Sequence, residues 1–204
     1  MSDPHMTDVT ARNDKAPRDT VALRQLTVAN AWNVQGDPAH VAFVQAVRQR
    51  FAVELPREPN TTRATTTFLA LWLGPSSWLL VHAADRVAAT QVEFDTARDA
   101  LNEQRGALFD VSASRVAFAV EGHSAAVLLA KSTPLDFHLR AFPVGTCAQS
   151  LFGHVNALFH RRGPQAFDVL VARSFGGDVW NALLASAAQF QPRIASPQPL
   201  QWTS

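Results

Sequence analysis

The stretch Trp72–Leu80, WLGPSSWLL, decides how the middle of this chain folds. Its apolar residues are interrupted at 74–77 by Gly-Pro-Ser-Ser. Glycine and proline interrupt strands, and small hydroxyl residues fit a tight reversal, so the stretch predicts a β-hairpin. A four-residue loop at 74–77 pairs Trp72 with Leu79, and this register places Trp72 and Trp78 on opposite faces of the sheet.

Both faces of this predicted hairpin are apolar. Its first strand alternates between two apolar sets, Phe68, Ala70 and Trp72 on one side and Leu69, Leu71 and Leu73 on the other. Two tryptophans taken alone would simply fill the core. When helices cover only one side of a sheet, the other side is normally polar. The second face of this hairpin is apolar, so it needs a covering layer from this chain's other helices or from a partner. We favour the partner, which makes Trp72 and Trp78 candidate interface residues, one of them core and the other exposed.

The hydrophobic pattern alternates between helices and pairs of strands. Helices are predicted over about 38–51, 91–105, 123–131 and 176–189, and strands over about 21–34, 108–111, 115–120, 148–152, 154–160 and 167–173. Helices separated by strand pairs predict an α+β fold with antiparallel or mixed sheets and helices packed on them. We expect one such domain over 21–190, a flexible arm over 1–20 and a disordered tail over 191–204.

Composition and charge exclude several classes of protein. The 204 residues are 47% hydrophobic and 17% charged, with a formal net charge of +1. A charge so close to zero gives no attraction to nucleic acid or to an anionic membrane surface. The longest apolar stretch, 68–84, is broken by Gly74-Pro75 and is too short to span a bilayer. The first twenty residues are polar and do not resemble a signal peptide, so we expect a cytoplasmic protein.

One segment resembles the site of a serine nucleophile. Gly122-His123-Ser124-Ala125-Ala126 follows a predicted strand and opens a predicted helix, as a G-x-S-x-G elbow does. Alanine replaces the last glycine, however, and the acid that follows, Asp136, comes too soon to leave room for the intervening elements of such a hydrolase. We therefore favour a role for Ser124 as a helix cap over a role as a nucleophile.

The sequence gives little support for a metal site, a reactive cysteine or a nucleotide-binding loop. His154 and His160 lie on one face of a predicted strand and about 20 Å apart, so they cannot share an ion, and His138 could approach His154 only through the fold. The single cysteine, Cys147, permits neither an internal disulfide nor a cysteine zinc site, and a structural thiol is favoured. No glycine-rich nucleotide loop of the common types is present, which disfavours FAD, NAD or ATP in this chain. No catalytic, cofactor-binding or metal-binding residue is therefore proposed.

Further blocks follow the hairpin stretch in a fixed order. They are PLDFHLRAFP at 134–143, GTCAQ at 145–149, and Arg173-Ser174-Phe175 with Trp180. Together with WLGPSSWLL, this order resembles the gamma subunit of heterotetrameric sarcosine oxidase over about 21–188. That family is similar to the folate-binding domain of glycine-cleavage aminomethyltransferases, and Asp110-Val111-Ser112 looks like the first block of the wider superfamily. Two turns, at Ser76-Ser77 and Gly122-His123, depart from the family pattern.

The resemblance implies a structural subunit without a cofactor of its own. The family's complex oxidises sarcosine to glycine, with hydrogen peroxide and formaldehyde or methylene-tetrahydrofolate as the other products. FAD, FMN, NAD and folate are implied for the alpha and beta subunits and zinc for the delta subunit. A second hypothesis is a stand-alone folate-binding or aminomethyltransferase-like protein, although 153–162, which resembles the folate-contacting strands, contains no acid. A more distant one is a serine hydrolase using Ser124.

Overall fold

The computed structural model describes residues 20–82, 90–200 and 202, which form two β-sheets, four α-helices and two short 3-10 helices. The strands are β1 Val21–Thr27, β2 Ala31–Gln35, β3 Thr62–Ala64, β4 Phe68–Gly74, β5 Ser77–His82, β6 Ala107–Asp110, β7 Arg115–Glu121, β8 Cys147–Phe152, β9 Val155–Gly163, β10 Ala166–Ala172, β11 Pro192–Ile194 and β12 Gln198–Pro199. The helices are α1 Val41–Phe51, α2 Gln91–Glu103, α3 Ala125–Ala130 and α4 Gly176–Ala187. The predicted arm over 1–20 lies outside the described residues except for Thr20.

The strands form one seven-stranded and one five-stranded sheet. The first sheet has the order β11-β1-β7-β10-β9-β8, with β12 also beside β1, and the second has the order β3-β4-β5-β2-β6. Only β11 and β12 run parallel to their neighbour β1, and the other pairs are antiparallel. The predicted α+β class with antiparallel or mixed sheets is confirmed.

The two sheets pack face to face, with helices on the outside. Side chains of β1, β7, β8, β9 and β10 meet side chains of β2, β4 and β5 in a buried apolar layer between the sheets. The outer face of the first sheet packs on α3 and α4, and the outer face of the second packs on α1 and α2. From the sequence we favoured a partner as the cover of the second apolar face of the hairpin. That preference is wrong for this face, because the first sheet of the same chain covers it.

Local sequence signals explain where α2 begins. The Thr90 hydroxyl accepts a hydrogen bond from the Glu93 amide at 3.2 Å, and the Glu93 carboxylate accepts one from the Thr90 amide at 2.7 Å. This reciprocal capping box satisfies two amides that the first turn would leave free. With 13 residues, α2 is the longest described helix, and none of the described helices is long and apolar enough to cross a membrane.

The hairpin of β4 and β5 has a different register from the predicted one. Trp72 lies directly opposite Trp78, and Gly74 lies opposite Ser77, which leaves Leu73 as an extra residue in β4. This β-bulge shortens the turn to two residues and shifts the pairing by one position. The two tryptophans therefore lie on the same face of the sheet, so the prediction of opposite faces is wrong.

The prediction of a disordered tail is also wrong for most of the described residues after 191. Both β11 and β12 pair with β1, and the Leu200 side chain is 1% exposed in the layer between the sheets. The Trp202 indole donates to the Thr65 carbonyl at 2.8 Å. The edge of β1 that faces away from β7 offers free backbone groups, and the tail satisfies them.

Candidate functional site

Three polar side chains are buried deeply on two adjacent strands of the first sheet. His160, Arg161 and Asp168 are 3%, 3% and 1% exposed. Neighbouring residues of a strand point to opposite faces, so His160 faces the second sheet, whereas Arg161 lies on the face that carries Phe167. The strands thus position two separate polar networks.

The first network joins four charged or ionisable groups. Asp168 Oδ2 lies 3.1 Å from His160 Nδ1, and Asp168 Oδ1 accepts a hydrogen bond from Arg162 Nε at 3.4 Å. Arg162 also forms an ion pair with Glu121. Burial alone would lower the pKa of Arg162, but the charge of Asp168 and the contact with Glu121 outweigh it and raise that pKa. The charges of the network are therefore compensated within the chain.

Cys147 lies beside this network, because it is directly opposite His160 in the β8–β9 register. The order cysteine, histidine, aspartate is that of a thiol nucleophile with its base and orienting acid. Cys147 is nevertheless unsuited to act as a nucleophile, because burial raises the pKa of its thiol to about 12 and keeps it protonated. The thiol donates to the carbonyls of Trp72 and Thr61, at 3.5 and 3.6 Å, on the other sheet. Cys147 therefore helps to join the two sheets, as the favoured structural role predicts.

The thiol also makes stability depend on alkaline pH. Because its pKa is about 12 in the folded chain and about 9 as a model value, the folded state keeps a proton that the unfolded state loses. Stability should therefore fall as pH rises above about 9, by up to about 1.4 kcal/mol per pH unit. The chain has no tyrosine, so few other groups titrate there. Urea unfolding at pH 8 to 10 should show a steeper loss for the native chain than for Cys147→Ala, and equal slopes would contradict the buried thiol.

The second network consists of Arg161 and the backbone carbonyls around it. Its guanidinium donates to Phe137 O at 2.8 Å and Phe142 O at 2.9 Å, and also contacts the carbonyls of Gly163 and Pro164. The guanidinium carbon lies 4.8 Å from the centre of the Phe167 ring. Burial lowers the pKa of Arg161. This arginine therefore holds the 134–145 segment, which contains no helix or strand, against the first sheet.

Ser124 has the position of an elbow serine but not its surroundings. Gly122 has a φ of 117°, and a Cβ on it would lie 2.3 Å from the Thr20 carbonyl, so glycine is needed at this turn. Ser124 precedes α3, is 4% exposed, and makes no capping hydrogen bond with its side chain, so the favoured role as a side-chain cap is wrong. Among the described residues, no hydrogen bond joins Ser124 to a histidine or an acid. A buried serine without a base does not support nucleophilic catalysis.

The other histidines do not form a metal site within the described part of the chain. No group of three or more potential metal ligands is present there. His138 lies in the 134–145 segment that Arg161 binds, and its ring accepts a hydrogen bond from the Arg140 amide at 3.3 Å. His154 lies in the turn before β9, and His160 is bound to Asp168.

The Asp110-Val111-Ser112 block has a structural explanation. Asp110 Oδ1 accepts hydrogen bonds from the amide and the hydroxyl of Ser112, at 2.9 and 2.5 Å. The Ser112 hydroxyl oxygen accepts one from the Ala31 amide at 2.9 Å. The block thus ties the end of β6 to the start of β2, and its acid is occupied within the chain.

The two candidate interface residues have different environments. Trp78 is fully buried, and its indole donates to the Pro56 carbonyl at 2.7 Å. Trp72, near the hairpin tip, is only partly buried and packs at the border of two core clusters. Trp78 is therefore the core residue of the pair, and a partner contact at Trp72 stays a prediction.

The buried charges of β9 and β10 were not predicted from the sequence. Asp168 stands alone between Phe167 and Val169 in an apolar strand, and Arg161 precedes Arg162 at the end of another. A charge inside an apolar run was the available signal, because such residues are almost never buried without a partner. Their partners come from register and from a long connection, which the local pattern does not reveal.

The sequence of this chain is similar to those of one known protein family. The model of the sarcosine oxidase gamma subunit family matches residues 35–189. The chain is 29% identical over 190 residues to the sarcosine oxidase subunit gamma of Corynebacterium sp. strain U-96, covering 91% of this chain and 88% of the relative. It is 27% identical over 187 residues to that of strain P-1, with the same coverage of 91% and 88%.

Solved structures share the fold. A chain of the heterotetrameric sarcosine oxidase from Corynebacterium sp. U-96, in complex with pyrrole 2-carboxylate, matches with a TM-score of 0.75 and 27% identity, over 83% of this chain and 85% of that one. The glycine cleavage system aminomethyltransferase T from Bartonella henselae matches with a TM-score of 0.61 and 15% identity, over 89% of this chain and 48% of that one. The second likeness concerns the fold alone.

Proposed function

Because this chain belongs to the sarcosine oxidase gamma subunit family, we propose that it is a non-catalytic, structural subunit of a heterotetrameric sarcosine oxidase. The assembled complex would oxidatively demethylate sarcosine with O2, giving glycine, hydrogen peroxide and formaldehyde, or methylene-tetrahydrofolate when folate is present.

One observation carries the non-catalytic part of the proposal. The deeply buried side chains that could act as a base or a nucleophile form hydrogen bonds with other residues of this chain. Asp168 binds His160 and Arg162, Arg161 binds carbonyls, and the Cys147 thiol donates to carbonyls of the other sheet. A general base or nucleophile has to reach a substrate proton or carbon, and these groups face protein instead.

The partners and cofactors follow from the family. We propose alpha, beta and delta subunits as partners, with FAD, FMN, NAD and folate in the alpha and beta subunits and zinc in the delta subunit. This chain would hold none of them and would act in the cytoplasm. Trp72 is the proposed contact, because it leaves an apolar ring partly exposed near the hairpin tip beside the bulge at Leu73.

Purification of this chain alone and with its proposed partners tests the function. The isolated full-length chain should show no visible flavin absorbance, no folate binding by calorimetry and no oxidation of sarcosine. Co-expressed with the alpha, beta and delta subunits, it should co-purify in equal amounts with them, and the coloured complex should consume oxygen with sarcosine. Stoichiometric flavin on the isolated chain would contradict the structural role, and folate binding to it would favour a stand-alone aminomethyltransferase-like protein.

A further inference from the structure

The β8 strand is an edge of the seven-stranded sheet, since among the described strands it pairs only with β9. The Cys147 amide points away from β9, because it donates to the Asn60 carbonyl at 2.9 Å. Backbone groups two residues apart point in the same direction, so the amides and carbonyls of Gln149 and Leu151 also point outward. Within the described part of the chain, these four groups have no hydrogen-bond partner. An open edge of this kind is a template for pairing with another strand.

Other parts of the chain cover both ends of this edge. Thr61 forms a bridge with Thr146 just before β8, and the Gly153 amide just after β8 donates to the Ser132 carbonyl. The open stretch is therefore 148–152, which is about 17 Å long. A second copy of β8 would have the same covering segments at its ends, and the two sets of segments would collide. The edge therefore fits an extended segment that has no such neighbours.

An apolar cavity borders the open edge. Leu151 is 43% exposed although its side chain is large and apolar. A cavity of about 600 Å³ adjoins Leu151 and Gln149 and extends between the two sheets, where Leu73 and Leu158 line it. The Gln149 side chain donates to the Leu73 carbonyl at 2.7 Å, which fixes the hairpin next to β8. An apolar side chain that enters this cavity from an added strand would lose its contact with water, which is favourable.

The charge in this cavity is positive. Arg115, at the start of β7, lies on the face of the sheet that carries Ala117 and points towards the second sheet. It lines the cavity, and no other described residue that lines it is charged. The side chain is partly buried, and its Nε has no hydrogen-bond acceptor among the described residues. The ion pairs within the described ranges do not include Arg115 either. A partly buried charge without a counter-charge is unfavourable, so the cavity favours an acidic segment over a basic one.

We propose that β8 accepts an extended, apolar and acidic segment of a partner subunit as an additional strand. The segment's backbone binds the outward groups of Gln149 and Leu151, and its apolar side chains enter the cavity beside Leu151. Two strands, β9 and β10, separate β8 from β7, which places Arg115 about 14 Å from β8. The acid that pairs with Arg115 therefore follows the added strand by about four residues.

This inference rests on the proposed function, because it names the surface through which the chain joins its complex. The surface is continuous with the contact proposed at Trp72, which precedes Leu73 in β4. Strand addition differs from that contact because the backbone of β8, and not only a side chain, recognises the partner.

Proline substitution tests the outward backbone groups. Leu151→Pro removes an amide that points away from β9, so the hydrogen bonds between β8 and β9 remain, and edge strands tolerate proline at such positions. Ile194→Pro is the matched control at the opposite edge of the same sheet. Ile194 is 53% exposed, and its amide also points outward, because the Ala195 amide donates to the Leu23 carbonyl of β1.

Both proline variants should keep a native circular dichroism spectrum. Co-expressed with the alpha, beta and delta subunits, Ile194→Pro should co-purify at the native stoichiometry, whereas the amount of Leu151→Pro in the complex should fall at least tenfold. Arg115→Glu, which reverses the charge in the cavity, should lower the co-purified amount at least fivefold. Arg50→Glu makes the same change on α1, outside the cavity, and should have no effect.

Hydrogen exchange of the native chain tests the same edge without a substitution, and it decides the question if Leu151→Pro does not fold. The Gln149 and Leu151 amides should exchange rapidly in the isolated chain and at least tenfold more slowly in the complex. The Ile194 amide should exchange at the same rate in both.

The outcomes separate this inference from the proposed function. If the native chain does not co-purify with the proposed partners, both fail. If it does co-purify but the Gln149 and Leu151 amides gain no protection, or Leu151→Pro assembles like the native chain, strand addition is overturned and the subunit role stands. A dimer of the isolated chain that Leu151→Pro converts to a monomer would show that a second copy occupies the edge, which also overturns the proposal. Native assembly of Arg115→Glu would overturn the acidic character of the segment.

Discussion

Replacing Arg161 with methionine is expected to lower the free energy of unfolding by about 3–6 kcal/mol. The guanidinium donates to two buried carbonyls, of Phe137 and Phe142, and a hydrogen bond from a charged donor contributes about 1.5–3 kcal/mol. Methionine fills similar space but donates nothing, so both carbonyls would stay buried without that donor. Urea unfolding followed by circular dichroism measures the loss.

The same substitution should release the 134–145 segment before the chain unfolds globally. Arg140 lies exposed in this segment, so trypsin should cleave after it faster in Arg161→Met than in the native chain. Arg140→Met is the matched control for the urea measurement, since it makes the same chemical change within residues 134–145 and its exposed side chain makes no described ion pair, whereas cleavage after Arg140 is compared between Arg161→Met and the native chain. We expect the stability of Arg140→Met to stay within about 0.5 kcal/mol of the native value. A loss below 1 kcal/mol with unchanged cleavage would show that Arg161 does not hold the segment.

Helices and strands were predictable where the local pattern agrees with the tertiary structure. The predicted helix over 91–105 matches α2, because its apolar residues Phe94, Ala97 and Leu101 follow helical spacing and bury one face. The strand pairs were predictable for the same reason. Their two apolar faces were also recognised, but the sequence does not show that the second layer comes from the same chain, since both a sheet and a partner could supply it.

The hairpin register and the polar networks depend on information that is not local. Leu73 forms a bulge, and no residue in WLGPSSWLL distinguishes a two-residue turn with a bulge from a four-residue loop. His160 and Asp168 become neighbours only through the pairing of β9 with β10, and Arg161 finds carbonyls in a connection about twenty residues earlier. The role of a buried charged residue can be inferred only when its partner is known. The sequence pattern alone therefore assigned no role to these residues.

Trp78→Asp is expected to prevent folding, whereas Trp72→Asp should leave a folded chain that no longer joins its partners. Trp78 is 0% exposed, its ring centroid lies 6.3 Å from that of Phe43, and its indole binds the Pro56 carbonyl. Loss of a buried tryptophan alone costs about 3–5 kcal/mol, and a buried carboxylate without a partner adds to it. The sum approaches the whole stability of a typical domain, about 5–15 kcal/mol.

Trp72 lies opposite Trp78 on the neighbouring strand, but its ring is only partly buried. A carboxylate there stays in contact with water, so the folded state should survive with a loss of about 1–2 kcal/mol. The charge would still disrupt an apolar contact with another subunit, since truncated or charged interface anchors commonly cost 2 kcal/mol or more in binding. Trp72→Phe, which keeps an aromatic ring, is the control and should still assemble.

Co-expression of each variant with the alpha, beta and delta subunits separates the two effects. We expect Trp78→Asp to be found in the insoluble fraction, Trp72→Asp to be soluble with a native circular dichroism spectrum but absent from the purified complex, and Trp72→Phe to co-purify. If Trp72→Asp assembles at the native stoichiometry, the partner contact lies elsewhere on the chain. If Trp78→Asp folds and assembles as well, the tight packing of this residue between α1 and the second sheet does not stabilise the fold as inferred.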